Sequence, residues 1–199
     1  MQAVTFAVVF AGLVGCSGAD EPAAGTGRAG QSEPAGTKKE GDELIGKTAP
    51  GWDLETWFNS APLRLEDLRG KVVLVRWFMA PDCPFCSATA PSLNLLDERY
   101  RDRGLVVIGF YHHKNPEPLD PEAVKGYLEH YKFRFPVAID PDWKTLKRWW
   151  LDRERDWTSV SFLLDKKGVI RFIHPGGKYA PGSPELAEID RRIQGLLAE

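Results

Sequence analysis

The sequence predicts an α/β domain built around a parallel strand–helix–strand unit. Two nearly continuous apolar runs of strand length, Lys71–Phe78 and Leu105–Tyr111, flank a segment whose apolar residues recur at helical spacing. Two short apolar runs around Asp165-Lys166-Lys167-Gly168 carry the signature of a β-hairpin. A segment from about Pro184 to Leu197 has the pattern of a closing helix. Strands connected through a helix are parallel, and the crossover is right-handed.

The chain begins with a stretch that does not belong to this domain. Residues 1–16 carry no charge and end in Leu13-Val14-Gly15-Cys16. The run is short for a bilayer span, and small residues precede the cysteine as at a processing site. It resembles a bacterial lipoprotein signal, although no Lys or Arg precedes the apolar segment. That resemblance implies lipidation at Cys16, with more than one acyl chain giving firm membrane anchoring. Ser17 after the cysteine favours the outer membrane by the same resemblance. Residues 17–43 contain no aromatic residue and no Leu, Ile, Val or Met, with six acids and three bases. Such a composition cannot bury enough apolar surface to offset its ordering entropy, so it reads as a disordered acidic tether. The folded domain is expected over 44–199.

Within the domain, Lys71–Phe78 is a buried central strand, followed by a loop bracketed by Pro81 and Pro84. Ala90, Leu93, Leu95, Leu96 and Tyr100 place a helix from Cys86 to about Arg103, with Pro91 expected to kink it. After the Leu105–Tyr111 strand come a helix over 121–132, a shorter one over Thr145–Leu151, the hairpin Val160–Leu164 and Val169–Ile173, and the last helix. No internal repeat is visible. The formal net charge of −2 and the scattered Lys and Arg side chains argue against a nucleic-acid partner.

The three cysteines are Cys16, Cys83 and Cys86. With Cys16 assigned to lipid, the remainder is an isolated C-x-x-C pair, Cys83-Pro84-Phe85-Cys86. A zinc site needs about four ligands, and no second pair of cysteines or histidines at suitable spacing exists. A static disulfide across two residues closes almost no loop and constrains the unfolded chain little. A redox-active dithiol needs only this pair at a helix N-terminus, where the dipole lowers a thiol pKa. The dithiol itself then serves as the redox centre, with no cofactor and no metal expected.

Ala49-Pro50, Leu65-x-x-Leu68-Arg69-Gly70-Lys71-Val72-Val73, Cys83-x-x-Cys86 with Pro91, and Phe162-Leu163-Leu164-Asp165-x-x-Gly168 occur in that order. Together they resemble the TlpA/ResA-type redoxins of the thioredoxin fold, across most of residues 45–197. The resemblance implies a central mixed sheet flanked by helices, an extra N-terminal β-hairpin, and thiol–disulfide exchange with proteins of the cell envelope by a monomer. Cys83 is then the exposed nucleophile and Cys86 the resolving thiol. Pro84, Phe85, Thr158 and Ser159 would meet the substrate.

Several positions depart from the family pattern. Asp82 stands where the family has Trp, and a carboxylate there should raise the pKa of Cys83 or repel acidic partners. Trp77 replaces the buried acid of thioredoxins, and Thr89 replaces the Glu of TlpA/ResA-like proteins. Ser159 stands where a cis-proline normally faces the dithiol. The usual proton acceptors for Cys86 are thus missing. His112 or His113, at the end of the second strand, is the candidate replacement base, the alternative being a solvated loop histidine. Trp149 and Trp150 read as core packing, with Trp157 on the same edge as the Ser159 loop. Two other functions compete. One is a Cu(I) chaperone using both cysteines and a histidine such as His112. The other is a thiol peroxidase, disfavoured because Arg76 and Ala80 occupy the Pro and Thr/Ser positions of the peroxiredoxin motif.

Overall fold

The computed structural model describes residues 39–151 and 155–199. Cys16, the lipidation signal and most of the expected tether lie outside the described residues. The described chain is already ordered before Leu44: Asp42–Leu44 is a short 3-10 helix, and Gly41 packs against Trp150 and Ile173.

The sheet has six strands in the order β1-β4-β3-β2-β5-β6. β2 (Val72–Phe78) lies inside it, bonded to β3 (Leu105–Tyr111) in parallel and to β5 (Ser161–Leu164) antiparallel. Its β-branched and aromatic residues suit a strand covered on both faces, and all seven are buried. β4 (Val137–Ile139) continues the parallel set beside β3, and β1 (Trp57–Phe58) adds an antiparallel edge. β6 (Ile170–His174) pairs with β5 through the Asp165–Gly168 turn. In that turn Asp165 Oδ1 accepts from the N–H groups of Lys167 and Val169, and Gly168 takes the left-handed φ of 72°.

The crossover helix α1 (Pro84–Tyr100) runs without interruption through Pro91. It packs with α2 (Pro121–Tyr131) and α4 (Pro184–Ala198) on one face of the sheet. α3 (Lys144–Trp149) and the loop carrying Trp52 cover the other. Strand alternation divides β2 accordingly: Val72, Leu74 and Phe78 join the α1 side, and Val73, Val75 and Trp77 the α3 side. Gly109 on β3 sits opposite Arg76, where a Cβ would come within 2.9 Å of the Phe78 ring.

The mixed sheet flanked by helices is the thioredoxin-like architecture. Instead of the expected N-terminal hairpin, the segment bonds to two different edges. Lys47–Ala49 pairs with the outer edge of the Val169–Ile170 segment, whereas β1 pairs with β4 at the far side. Trp149 and Trp150 are core residues, as their pairing suggested.

Candidate active site

The C-terminal end of β2 leads through Met79–Asp82 into α1, and Cys83 is the N-cap of that helix. Its sulfur accepts the Cys86 N–H at 3.3 Å, the bond a Ser or Asp side chain makes at an ordinary cap. Cys86, one turn into the helix, has its sulfur 3.4 Å from the Met79 N–H, which donates to it, and 4.0 Å from Ser159 Oγ. Both cysteines are in the free thiol form.

The two thiols are pushed in opposite directions. The Cys83 pKa is held down to about 6, chiefly by the hydrogen bond from the Cys86 thiol, against the effect of burial. The backbone N–H groups of Cys86 and Phe85 and the Ser159 hydroxyl add to the lowering. The Cys86 thiol is pushed well above its ordinary range because it donates to Cys83 and is buried, while the Arg76 cation pulls it back down. Near pH 7 the pair therefore holds a thiolate at Cys83 and a proton at Cys86.

Two expectations about Cys83 need correction. The residue is not openly exposed: 7% of it is accessible, against 3% for Cys86, because the side chain folds back over the helix N-terminus. Nor does Asp82 raise its pKa. The Asp82 side chain is exposed, and the groups that set the Cys83 pKa are the neighbouring thiol, burial, the helix N–H groups and the Ser159 hydroxyl.

The substituted family positions have acquired other partners. Trp77 Nε1 donates to Asp140 Oδ2 at 3.0 Å, and the same carboxylate accepts the N–H groups of Thr145 and Leu146 at the start of α3. Thr89 is buried and its Oγ1 accepts the Tyr179 N–H. The Tyr179 hydroxyl lies 3.0 Å from Ser161 Oγ. Ser159 is 4% accessible, and its carbonyl accepts Arg76 Nη1 at 2.6 Å.

The predicted bases do not join the dithiol. His112 is wholly buried beside the Trp143 ring, and neither ring nitrogen has a partner. Burial pushes its pKa down to about 3, helped by the charges of Lys114 and Arg76, so the ring is neutral. His113 instead bonds the Tyr111 hydroxyl at 3.0 Å and the Glu117 carbonyl. Among the described residues no group of three or more His, Cys, Asp or Glu comes together as a metal site, so a copper site combining His112 with both sulfurs has no geometric support.

Of the expected substrate contacts, Pro84 and Phe85 are exposed beside Cys83, whereas Thr158 and Ser159 are buried. Trp157, 46% accessible, sets its ring 5.7 Å from that of Phe85, nearly perpendicular, and lies against Gly176, where any Cβ would clash with it. An aromatic rim therefore borders Cys83. Tyr131, which donates to the Met79 carbonyl, was not anticipated from sequence. Arg76 was noted there only as a motif mismatch. The available signal was a single charge inside an otherwise apolar strand.

Residues 45–173 match the AhpC/TSA family. The chain is 31% identical to the thiol-disulfide oxidoreductase ResA of Bacillus cereus over 130 residues, 63% of this chain and 66% of that relative. It is 34% identical to the protein DipZ of Mycobacterium bovis over 148 residues, 74% of this chain but only 20% of DipZ. Among solved structures, a thiol-disulfide isomerase from Corynebacterium glutamicum superposes with a TM-score of 0.61 at 29% identity, covering 76% of this chain and 97% of the other. The chain thus spans about two thirds of ResA, and the family match over residues 45–173 contains the dithiol, its helix and Ser159. With the fold, the CxxC helix cap and these similarities in agreement, the chain belongs to the AhpC/TSA family, among relatives that are thiol–disulfide oxidoreductases.

Proposed function

We propose that the protein exchanges disulfides with other proteins through Cys83 and Cys86. The observation that carries this reading is the opposite poise of two adjacent thiols at one helix N-terminus. Cys83 is ionised near neutral pH and Cys86 is not. The Cys83 thiolate attacks one sulfur of a partner disulfide, forming a mixed disulfide and releasing the other sulfur as a thiolate. Cys86 then loses its proton and attacks Cys83 Sγ. The Cys83–Cys86 bond forms, the bond to the partner breaks, and the partner leaves as a thiol once it takes up that proton. Two electrons pass from the dithiol to the partner disulfide. The reverse sequence oxidises a partner dithiol, and the relative stability of the two disulfides sets the direction.

Phe85 and Trp157 favour partners with an apolar residue beside the reacting sulfur. The lipobox resemblance at Cys16 and the low-complexity tether support attachment to an envelope membrane by lipid. No helix among the described residues is long and apolar enough to cross a membrane. The test is insulin reduction by the dithiothreitol-reduced full chain, together with trapping of a mixed disulfide by Cys86→Ser. Turnover that depends on Cys83 is expected; the absence of both turnover and a trapped adduct would overturn the reading.

A further inference from the structure

β2 carries one charge, Arg76, and the side chain is wholly buried. Strand alternation puts it on the face of Val72, Leu74 and Phe78, which belong to the same apolar cluster as Cys83 and Cys86. Its Nη1 donates to the Ser159 carbonyl at 2.6 Å and to Ser161 Oγ at 3.3 Å, and its Nη2 donates to the Gly177 carbonyl at 2.8 Å. Nε has no partner, and the guanidinium lies 5.3 Å from the centre of the Tyr179 ring. Among the described residues no carboxylate pairs with it. A buried cation held only by neutral acceptors is costly, and the fold tolerates that cost at the dithiol.

The surrounding groups narrow the choice of counter-charge. His112 at the end of β3 and His174 on β6 are both driven neutral by burial, with the Arg76 charge acting in the same direction. Burial keeps the Tyr179 phenol protonated, and the same holds for Tyr131 on α2. Asp82 lies in the exposed turn before Cys83. Within this buried neighbourhood, the groups able to become anionic during thiol chemistry are the two sulfurs of α1, and it is Cys86 that feels the Arg76 charge.

We propose that Arg76 is a positioning residue for the resolving step, its fork holding the Ser159 carbonyl so that the Ser159 hydroxyl rests against Cys86 Sγ while its cation supports the negative charge Cys86 acquires as it attacks Cys83. The proposal rests on the exchange reading above. It also accounts for the missing acid and base: a fixed cation lowers the cost of forming the Cys86 thiolate without taking its proton. That proton leaves through solvent and ends on the departing partner sulfur, and the negative charge moves from Cys86 to that sulfur.

A small aromatic disulfide isolates the step. Reduced full chain in a Cys16→Ser background is mixed with 5,5′-dithiobis(2-nitrobenzoate), and release of the coloured thiolate is followed by stopped flow across pH. The first equivalent reports attack by Cys83 and the second reports attack by Cys86. Arg76→Gln should slow the second phase roughly tenfold on its rising limb, equivalent to moving its pH profile up by about one unit. The first phase should change little, and Arg76→Lys should recover most of the loss. A folded Arg76→Gln chain whose second phase and pH profile match the parent overturns the proposal. Should Arg76→Gln fail to fold, Ser159→Ala is the readout: it must slow the second phase more than the first, which loses only the small Ser159 contribution to the Cys83 thiolate, and a second phase that matches the parent overturns the role. Insulin reduction is run alongside. A parent that releases both equivalents but cannot reduce insulin overturns protein exchange, and this role within it, while an unshifted profile in an insulin-reducing chain overturns the role of Arg76 alone.

Discussion

Two neighbours on β2, Arg76 and Trp77, face opposite sides of the sheet and show how differently those sides are built. Trp77 enters an aromatic cluster with Phe110, Trp149 and Phe162, and its indole N–H is matched by a buried carboxylate that also caps α3. The Trp77 N–H and both Asp140 oxygens have partners there, and the groups left without one are the neutral indole N–H groups of Trp149 and Trp150. Arg76 enters the side that holds the dithiol with an unpaired Nε and no carboxylate partner among the described residues. The difference teaches where the fold leaves charge unbalanced, and it does so within one contact of Ser159 and Cys86.

This contrast can be broken at either side. The largest effect is expected at the nucleophile: Cys83→Ser should abolish insulin reduction while leaving the melting temperature near that of the parent, as measured by calorimetry. Next comes the aromatic side. Trp77→Ala should cost about 3–5 kcal/mol in denaturant unfolding, because it opens a cavity and removes a donor from the Asp140 carboxylate. Provided the chain still folds, its Cys83 pKa should stay low, since none of the groups that lower it lies on that side.

A pH effect of intermediate size is expected at His112. Above about pH 6.5 the ring is neutral in both folded and unfolded chains. As pH falls from there toward about 3, the unfolded chain gains a proton that the buried ring refuses, so stability falls with pH across that window. The slope contributed by this group is at most about 1.4 kcal/mol per pH unit. Replacing His112 with Phe should flatten that part of the stability profile, and an unchanged slope would contradict the assignment. The smallest effect belongs to the rim. Trp157→Ala should slow exchange several-fold with peptides carrying an apolar residue beside their disulfide, with little effect on polar ones and little on stability, because the ring is 46% accessible.

Legibility in the sequence followed element length and locality. β2, α1, β3 and α4 are long enough for period and composition to mark them, and the structure has them within a few residues. β1, with two residues, and β4, with three, carry no such pattern and exist because neighbouring strands offer free edges. The dithiol was legible because both cysteines and their helix are consecutive. The Arg76 network was not, because its partners lie 83 to 101 residues further along the chain. The histidines misled for a related reason. Topology brings the end of β3 to the edge that carries the dithiol, but packing against Trp143 turns His112 into the core, and Tyr111 with the Glu117 carbonyl holds His113 away.

The proposed exchange needs Cys83 ionised near neutral pH, although the residue is nearly buried and preceded by an acid. Its most direct test is the pH dependence of iodoacetamide alkylation at Cys83 in the reduced full chain, with the modified residue identified by peptide mapping. The profile should have its midpoint near pH 6, with Cys86 unmodified over the same range. A midpoint at the ordinary thiol value of about 8.5, or equal reactivity of the two cysteines, would contradict it.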